Sequence, residues 1–101
     1  MSVTVIADLA IKPEEVKWVI AILRSILPNT RKAAGCLGAD LQQNQDDPNN
    51  LLIVQEFETR DHYLAYMNAV KGEGEPDPVL ARYFASFARP AEVRYYDHLP
   101  G

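Results

Sequence analysis

Residues 36–57, CLGADLQQNQDDPNNLLIVQEF, decide the fold. Leu37, Ala39 and Leu41 share one face of the first half, with Cys36 facing the other way, and the second half is a run of β-formers ending at Phe57. Between them Asp46-Asp47-Pro48-Asn49-Asn50 collects residues that favour turns through side-chain-to-backbone bonding and a fixed proline φ. The stretch reads as a β-hairpin pairing 36–44 with 51–57, and Gly38 marks a bulge or a close backbone approach.

Upstream, Val3, Val5, Ala7, Leu9 and Ile11 alternate with Thr4, Ile6, Asp8 and Ala10, the period of a strand. The even face is mixed rather than polar, as expected of a strand that meets a second apolar layer or a pocket. Pro13 suits a first helical position, and Glu14 and Glu15 put negative charge where the helix dipole favours it. Val16, Val19, Ile20, Leu23 and Leu27 then recur at helical spacing, with Trp18 and Ile22 widening the apolar stripe. Pro28 cannot donate to the Arg24 carbonyl, which predicts that the helix ends or kinks there before Gly35 supplies a C-terminal cap.

Downstream, Thr59 caps a short helix whose Tyr63, Tyr66, Met67 and Val70 fall on one face. A polar, glycine-rich loop over 71–77 ends at Asp77 as cap and Pro78 as first helical residue. The helix that follows carries Val79, Leu80, Tyr83, Phe84 and Phe87. Pro90 stops it, and 91–98 alternates as a last strand. The order strand, long helix, hairpin, short helices, strand implies an α+β fold, a largely antiparallel four-stranded sheet with helices on one face.

The chain has 101 residues, enough for one domain over 1–101 and no second core. A net charge of −4 argues against nucleic acid and anionic lipid as partners. No apolar run reaches the roughly 18 residues of a membrane span. The single cysteine, Cys36, and an N-terminus without a basic leader lead to the expectation of a cytoplasmic protein. Neither a phosphate-cradling glycine loop nor metal-ligand spacing is present, so no cofactor and no metal are expected.

Ala34-Gly-Cys-Leu-Gly-Ala-Asp-Leu-Gln-Gln43, followed by the Asp/Asn turn and the strand ending Gln55-Glu-Phe57, resembles the antibiotic biosynthesis monooxygenase superfamily. The resemblance runs from the first strand to the helix near residue 70 and continues loosely to the last strand. It implies a ferredoxin-like protomer, a dimeric α+β barrel, and cofactor-independent oxidation of a phenolic, quinol or polyketide-like aromatic. Members often carry a tryptophan at the end of the third strand and a histidine nine residues later. Here those positions hold Phe57 and Tyr66, so an activity built on imidazole does not carry over, and the axial histidine that haem-binding relatives would need is unmatched.

The candidate catalytic residues are Tyr66 and Tyr63, as orienting or proton-relay groups, and His62 as a more distant base. His62 lies in the first turn of its helix, off the tyrosine stripe, so a capping or surface role competes. Phe57, Met67, Tyr83 and Phe84 are candidate walls for a small aromatic, although aromatics at helical spacing also serve simply as core. Asp8 and Arg94 are candidates either for an ion pair or for polarising a bound phenol. A non-catalytic dimer that binds a hydrophobic small molecule is the alternative function. A homodimer is expected because both faces of the first strand carry apolar residues.

Overall fold

A computed structural model describes residues 2–72 and 77–101. The glycine-rich stretch over 73–76, part of the loop singled out above, lies outside the described residues. The elements are β1 (Val3–Ala10), a 3-10 turn (Pro13–Glu15), α1 (Val16–Arg31), β2 (Cys36–Gln43), β3 (Asn50–Phe57), α2 (Arg60–Lys71), α3 (Pro78–Ala85) and β4 (Glu92–Asp97). They form one four-stranded sheet in the order β2-β3-β1-β4 with every neighbouring pair antiparallel. This is the ferredoxin-like α+β arrangement that the element order implied.

The alternation of β1 is the organising feature. Val3, Val5, Ala7, Leu9 and Ile11 are buried beneath the helices, while Thr4, Ile6, Asp8 and Ala10 are half-buried on the other face. The register Ala7↔Ile53, Val5↔Gln55 and Val3↔Phe57 places odd residues of β3 on the same helix-covered side. One core cluster joins Ala7, Leu9 and Ile11 to Val16, Val19, Leu23 and Leu27 of α1 and to Leu51 and Ile53. A second joins Val3, Val5, Phe57 and Tyr63. On the open face Asn50 Nδ2 donates to Asp8 Oδ1 at 2.6 Å, and Arg94 lies 3.5 Å from the other carboxylate oxygen. That pair belongs to the face away from the helices.

Five sequence expectations need correction. The last helix ends at Ala85, ahead of Pro90, so Phe87 is not on it and instead bridges to Ile11. Pro13 opens only a 3-10 turn, and the α-helix proper begins at Val16. Pro28 does not end that helix, which continues to Arg31. Pro28 and Arg24 are both exposed, so solvent can take the carbonyl that proline leaves without a donor, while buried Leu27 and Thr30 hold the turn to the core. Cys36 does not face away from Ala39. The strand bulges between Cys36 and Gly38, which turns Leu37 outward, 54% exposed, and brings Cys36 to the core side against the Phe57 cluster.

Gly35, lastly, is not the helix cap, since Lys32 fills that position. Gly35 has φ +80°, its carbonyl accepts from the Glu58 amide at 2.7 Å, and a Cβ there would run into the His62 ring. The close backbone approach is therefore at Gly35, whereas Gly38 has open space around it.

The caps of α2 and α3 are as the sequence suggests. Thr59 Oγ1 accepts from the His62 amide and Asp77 Oδ1 from the Val79 amide. No helix among the described residues is long and apolar enough to cross a membrane.

Gly35→Ala should lower stability by about 1–2 kcal/mol from its left-handed φ alone, with the His62 clash added. Adding His62→Ala should recover only the clash. Urea midpoints of the two variants and the parent check this, and an unchanged midpoint for Gly35→Ala would refute the packing described.

Candidate functional site

Between the helix-covered face of the sheet and the three helices lies a cavity of about 140 Å³. Its floor is Ala7, Leu9, Ile53, Gln55 and Val93 from the strands. Leu23, Ile26, Leu27 and Thr30 of α1 form one wall, and the Tyr63, Tyr66, Met67 and Val70 stripe of α2 forms another. Leu80, Tyr83 and Phe84 of α3, with Phe87 after it, close the remaining side. The space survives because the residues around it are rings and branched chains from four directions, and α3 has no buried residue with which to fill it.

The polar groups are few. Tyr66 Oη and Thr30 Oγ1 are 2.6 Å apart, and Thr30 Oγ1 also lies 3.4 Å from the Ile26 carbonyl. If threonine gives its proton to that carbonyl, tyrosine donates to threonine and keeps lone pairs for another partner. With the roles reversed, the phenol proton is free. Gln55 is 6% exposed, and its Oε1 has no hydrogen-bond partner among the described residues. Among the described residues no charged side chain lines the cavity. Burial raises Tyr63 and Tyr83 above the ordinary phenol range, with neighbouring tyrosines adding to the effect. Both are hydrogen-bonding phenols at neutral pH, not bases.

Five of the residues singled out in the sequence meet here: Tyr63, Tyr66, Met67, Tyr83 and Phe84. Two do not. Phe57, fully buried opposite Val3, stands behind the cavity as a support, its ring 5.6 Å from Tyr63 and 6.0 Å from Tyr66. His62 points elsewhere because the first turn of α2 abuts Gly35. Its Nδ1 is 2.7 Å from Thr59 Oγ1. It borders a separate open groove of about 410 Å³ along the ends of α1 and α2, with Asn29 and Lys32.

Tyr66 borders both the groove and the cavity. Asp8 and Arg94 are paired on the open sheet face and touch neither. Among the described residues no group of three or more His, Cys, Asp or Glu could hold a metal.

Thr30 and Gln55 were not singled out. Gln55 carries a legible signal, a lone polar residue in the buried odd register Leu51, Ile53, Gln55, Phe57. Thr30 carries none, because it falls beyond the proline expected to end the helix.

The fold and the position of this cavity define a small α+β protein with a ligand-sized space between sheet and helices. The family model for antibiotic biosynthesis monooxygenases matches residues 2–71, and the chain belongs to that family. Among solved structures, an antibiotic biosynthesis monooxygenase shares 24% identity over 97% of this chain and 99% of its own, with a TM-score of 0.79. A conserved protein from Methanosarcina mazei shares 18% over 95% and 91%, also at 0.79. A Mycobacterium tuberculosis protein shares 23% over 100% and 98%, at 0.72. At these identities the likeness is one of fold. No curated protein gives a significant sequence match.

Because Tyr63 and Tyr83 hold their protons in the folded state beyond the pH at which an unfolded chain releases them, they favour folding below about pH 10. That contribution is lost as pH rises through their folded-state values. Absorbance near the phenolate band should therefore rise in two stages, the later one accompanying unfolding. Coincidence of the whole titration with that of the urea-unfolded chain would refute it.

Proposed function

We propose that the chain binds a single-ring phenol or quinol in this cavity and oxidises it with dioxygen without a resident cofactor. Family membership supports monooxygenase-like chemistry, and the cavity volume supports the size of the substrate. A cavity of about 150 Å³ accepts benzene, so a substituted single ring is favoured over a polycyclic polyketide.

The observation that carries the reading is the position of Tyr66, between the cavity and the outer groove and hydrogen-bonded to Thr30. A proton leaving a quinol hydroxyl can pass to Tyr66 as Tyr66 releases its own toward the groove, where solvent and His62 receive it. The ring walls hold the substrate and keep water from the reacting carbon. Two electrons and two protons from a quinol reduce dioxygen to hydrogen peroxide and leave the quinone. Insertion of one oxygen atom into a ring carbon–hydrogen bond gives instead the hydroxyquinone and water. In both cases the substrate supplies every electron.

One observation favours the alternative, a non-catalytic binder of a hydrophobic small molecule. No His, Asp or Glu lines the cavity among the described residues, so none of these residues offers a carboxylate or imidazole base to the ligand directly.

Assembly is part of the proposal. Ile6, Leu52 and Val54 form a half-buried apolar strip on the sheet face that no helix covers. A second copy packing the same face would cover it under two-fold symmetry and give the dimeric barrel, with an interface of roughly 2,000 Å² or more. We place this dimer in the cytoplasm, in keeping with one unpaired thiol.

Light scattering at low micromolar concentration should give twice 11.3 kDa. A folded monomer there would overturn the dimer. Oxygen uptake with methylhydroquinone should exceed the buffer rate, and Tyr66→Phe should reduce kcat by about tenfold or more with KM little changed. Uptake equal to buffer across roughly pH 6 to 9 would overturn the catalytic reading in favour of the binder. Under that alternative Tyr66→Phe should change affinity by no more than about 1.5 kcal/mol.

A further inference from the structure

The buried carboxamide of Gln55 is a conflict within the fold. Its neighbours across the strands are Val5 and Ala39, both buried. A polar atom held there without a partner opposes folding. Methionine or leucine would occupy the same place without that penalty. The position is not forced by sheet geometry, since Ile53 and Phe57 on the same face are apolar and buried. An unsatisfied polar group on the floor of a largely apolar cavity is matched by a ligand that brings the missing partner.

We propose that Gln55 sets ligand choice in this cavity, its carboxamide oxygen accepting a hydrogen bond from the hydroxyl of a neutral, single-ring aromatic. The inference rests on the cavity being the ligand site, as proposed above, and adds the group that selects the ligand. Three observations support it. Gln55 lines the cavity and its Oε1 is an acceptor buried without a partner, so a ligand satisfies it only by donating, once the side chain turns that oxygen toward the cavity. Among the described residues no cation lines the cavity to offset an anionic ligand, so a carboxylate or preformed phenolate would be buried uncompensated by them. Among the described residues Gln55 Oε1 is the fully buried side-chain oxygen or nitrogen left without a partner, whereas Thr30 and Tyr66 already bond each other.

A site built to hydrogen-bond a ligand hydroxyl rejects the analogue that lacks it more strongly than an apolar pocket rejects an extra methyl group. The protein should therefore distinguish phenol from toluene. It should also distinguish phenol from anisole, which accepts hydrogen bonds but cannot donate them.

The test is calorimetric titration of the intact protein, and of Gln55→Met and Gln55→Leu, with phenol, anisole and toluene. Both variants replace an unpaired polar group by an apolar one of similar size and should melt no lower than the parent. The parent should prefer phenol over toluene and anisole by about tenfold or more, the worth of one hydrogen bond to a buried acceptor. Both variants should lose most of that preference by binding phenol more weakly and toluene at least as well. Phenol and toluene binding with a ratio unchanged in the variants would overturn the role of Gln55 while leaving the cavity as a ligand site. Anisole binding the parent as well as phenol does would overturn the acceptor assignment. If none of the three binds the parent, the cavity reading fails, and this inference with it.

Discussion

Strict alternation along β1 governs this molecule. As an inner strand it is hydrogen-bonded on both edges, to β3 and to β4, so its residues have only the two faces of the sheet to occupy. Val5, Leu9 and their odd-numbered companions face the helices, which fixes the facing of β3 through the register and hence of Ile53, Gln55 and Phe57. A one-residue slip would expose that whole set and bury Asp8. The cavity floor is thus determined by the same pairing that builds the core, and a change in β1 pairing would dismantle both together.

The cavity itself comes from uneven helix packing. α1 presses a broad apolar stripe onto the sheet and leaves no space beneath Val19. α2 meets the sheet mainly through Tyr63, supported edge-on by Phe57 and by Tyr95, whose other side carries the Arg60 guanidinium 3.6 Å from the ring centre. α3 lies furthest out, joined to the rest by the Tyr83–Phe87 ring contact and by Arg82, which stacks on Trp18 and pairs with Glu15 at 3.2 Å. Rings at the ends of long side chains span the gap between these layers without filling it.

Much of the fold was legible because it depends on short-range rules. The period of β1, the hairpin turn, the Thr59 and Asp77 caps and the stripe on α2 are each settled within a few residues, and the structure agrees with them. The errors share a different origin. Pro28 breaks a helix only where the freed carbonyl cannot reach solvent, and exposure is a tertiary property. The facing of Cys36 was inverted by a bulge whose site Gly38 had marked but whose effect on neighbouring side chains depends on the partner strand.

The candidate site divides along the same line. Residues on the α2 stripe converge because helical periodicity brings them together, and the rings of the next helix join them. His62, one residue off the stripe, turns to the outer groove under the constraint of Gly35, a contact between residues distant in sequence. Gln55 was readable in principle as a polar break in a buried register. Thr30 becomes readable only once α1 is known to continue.

The pairing of β1 with β4 joins residues from opposite ends of the described chain, Val3 opposite Asp97, whereas β2 and β3 are joined by a short turn. Loop-closure entropy rises with the length enclosed, and non-local pairings slow folding. By chain connectivity the hairpin and its packing on α1 can form early, while β4 must be recruited across nearly the entire sequence. Because Val93 forms part of the cavity floor, the cavity is then completed only when this last strand docks, and a nascent or partly folded chain lacks it.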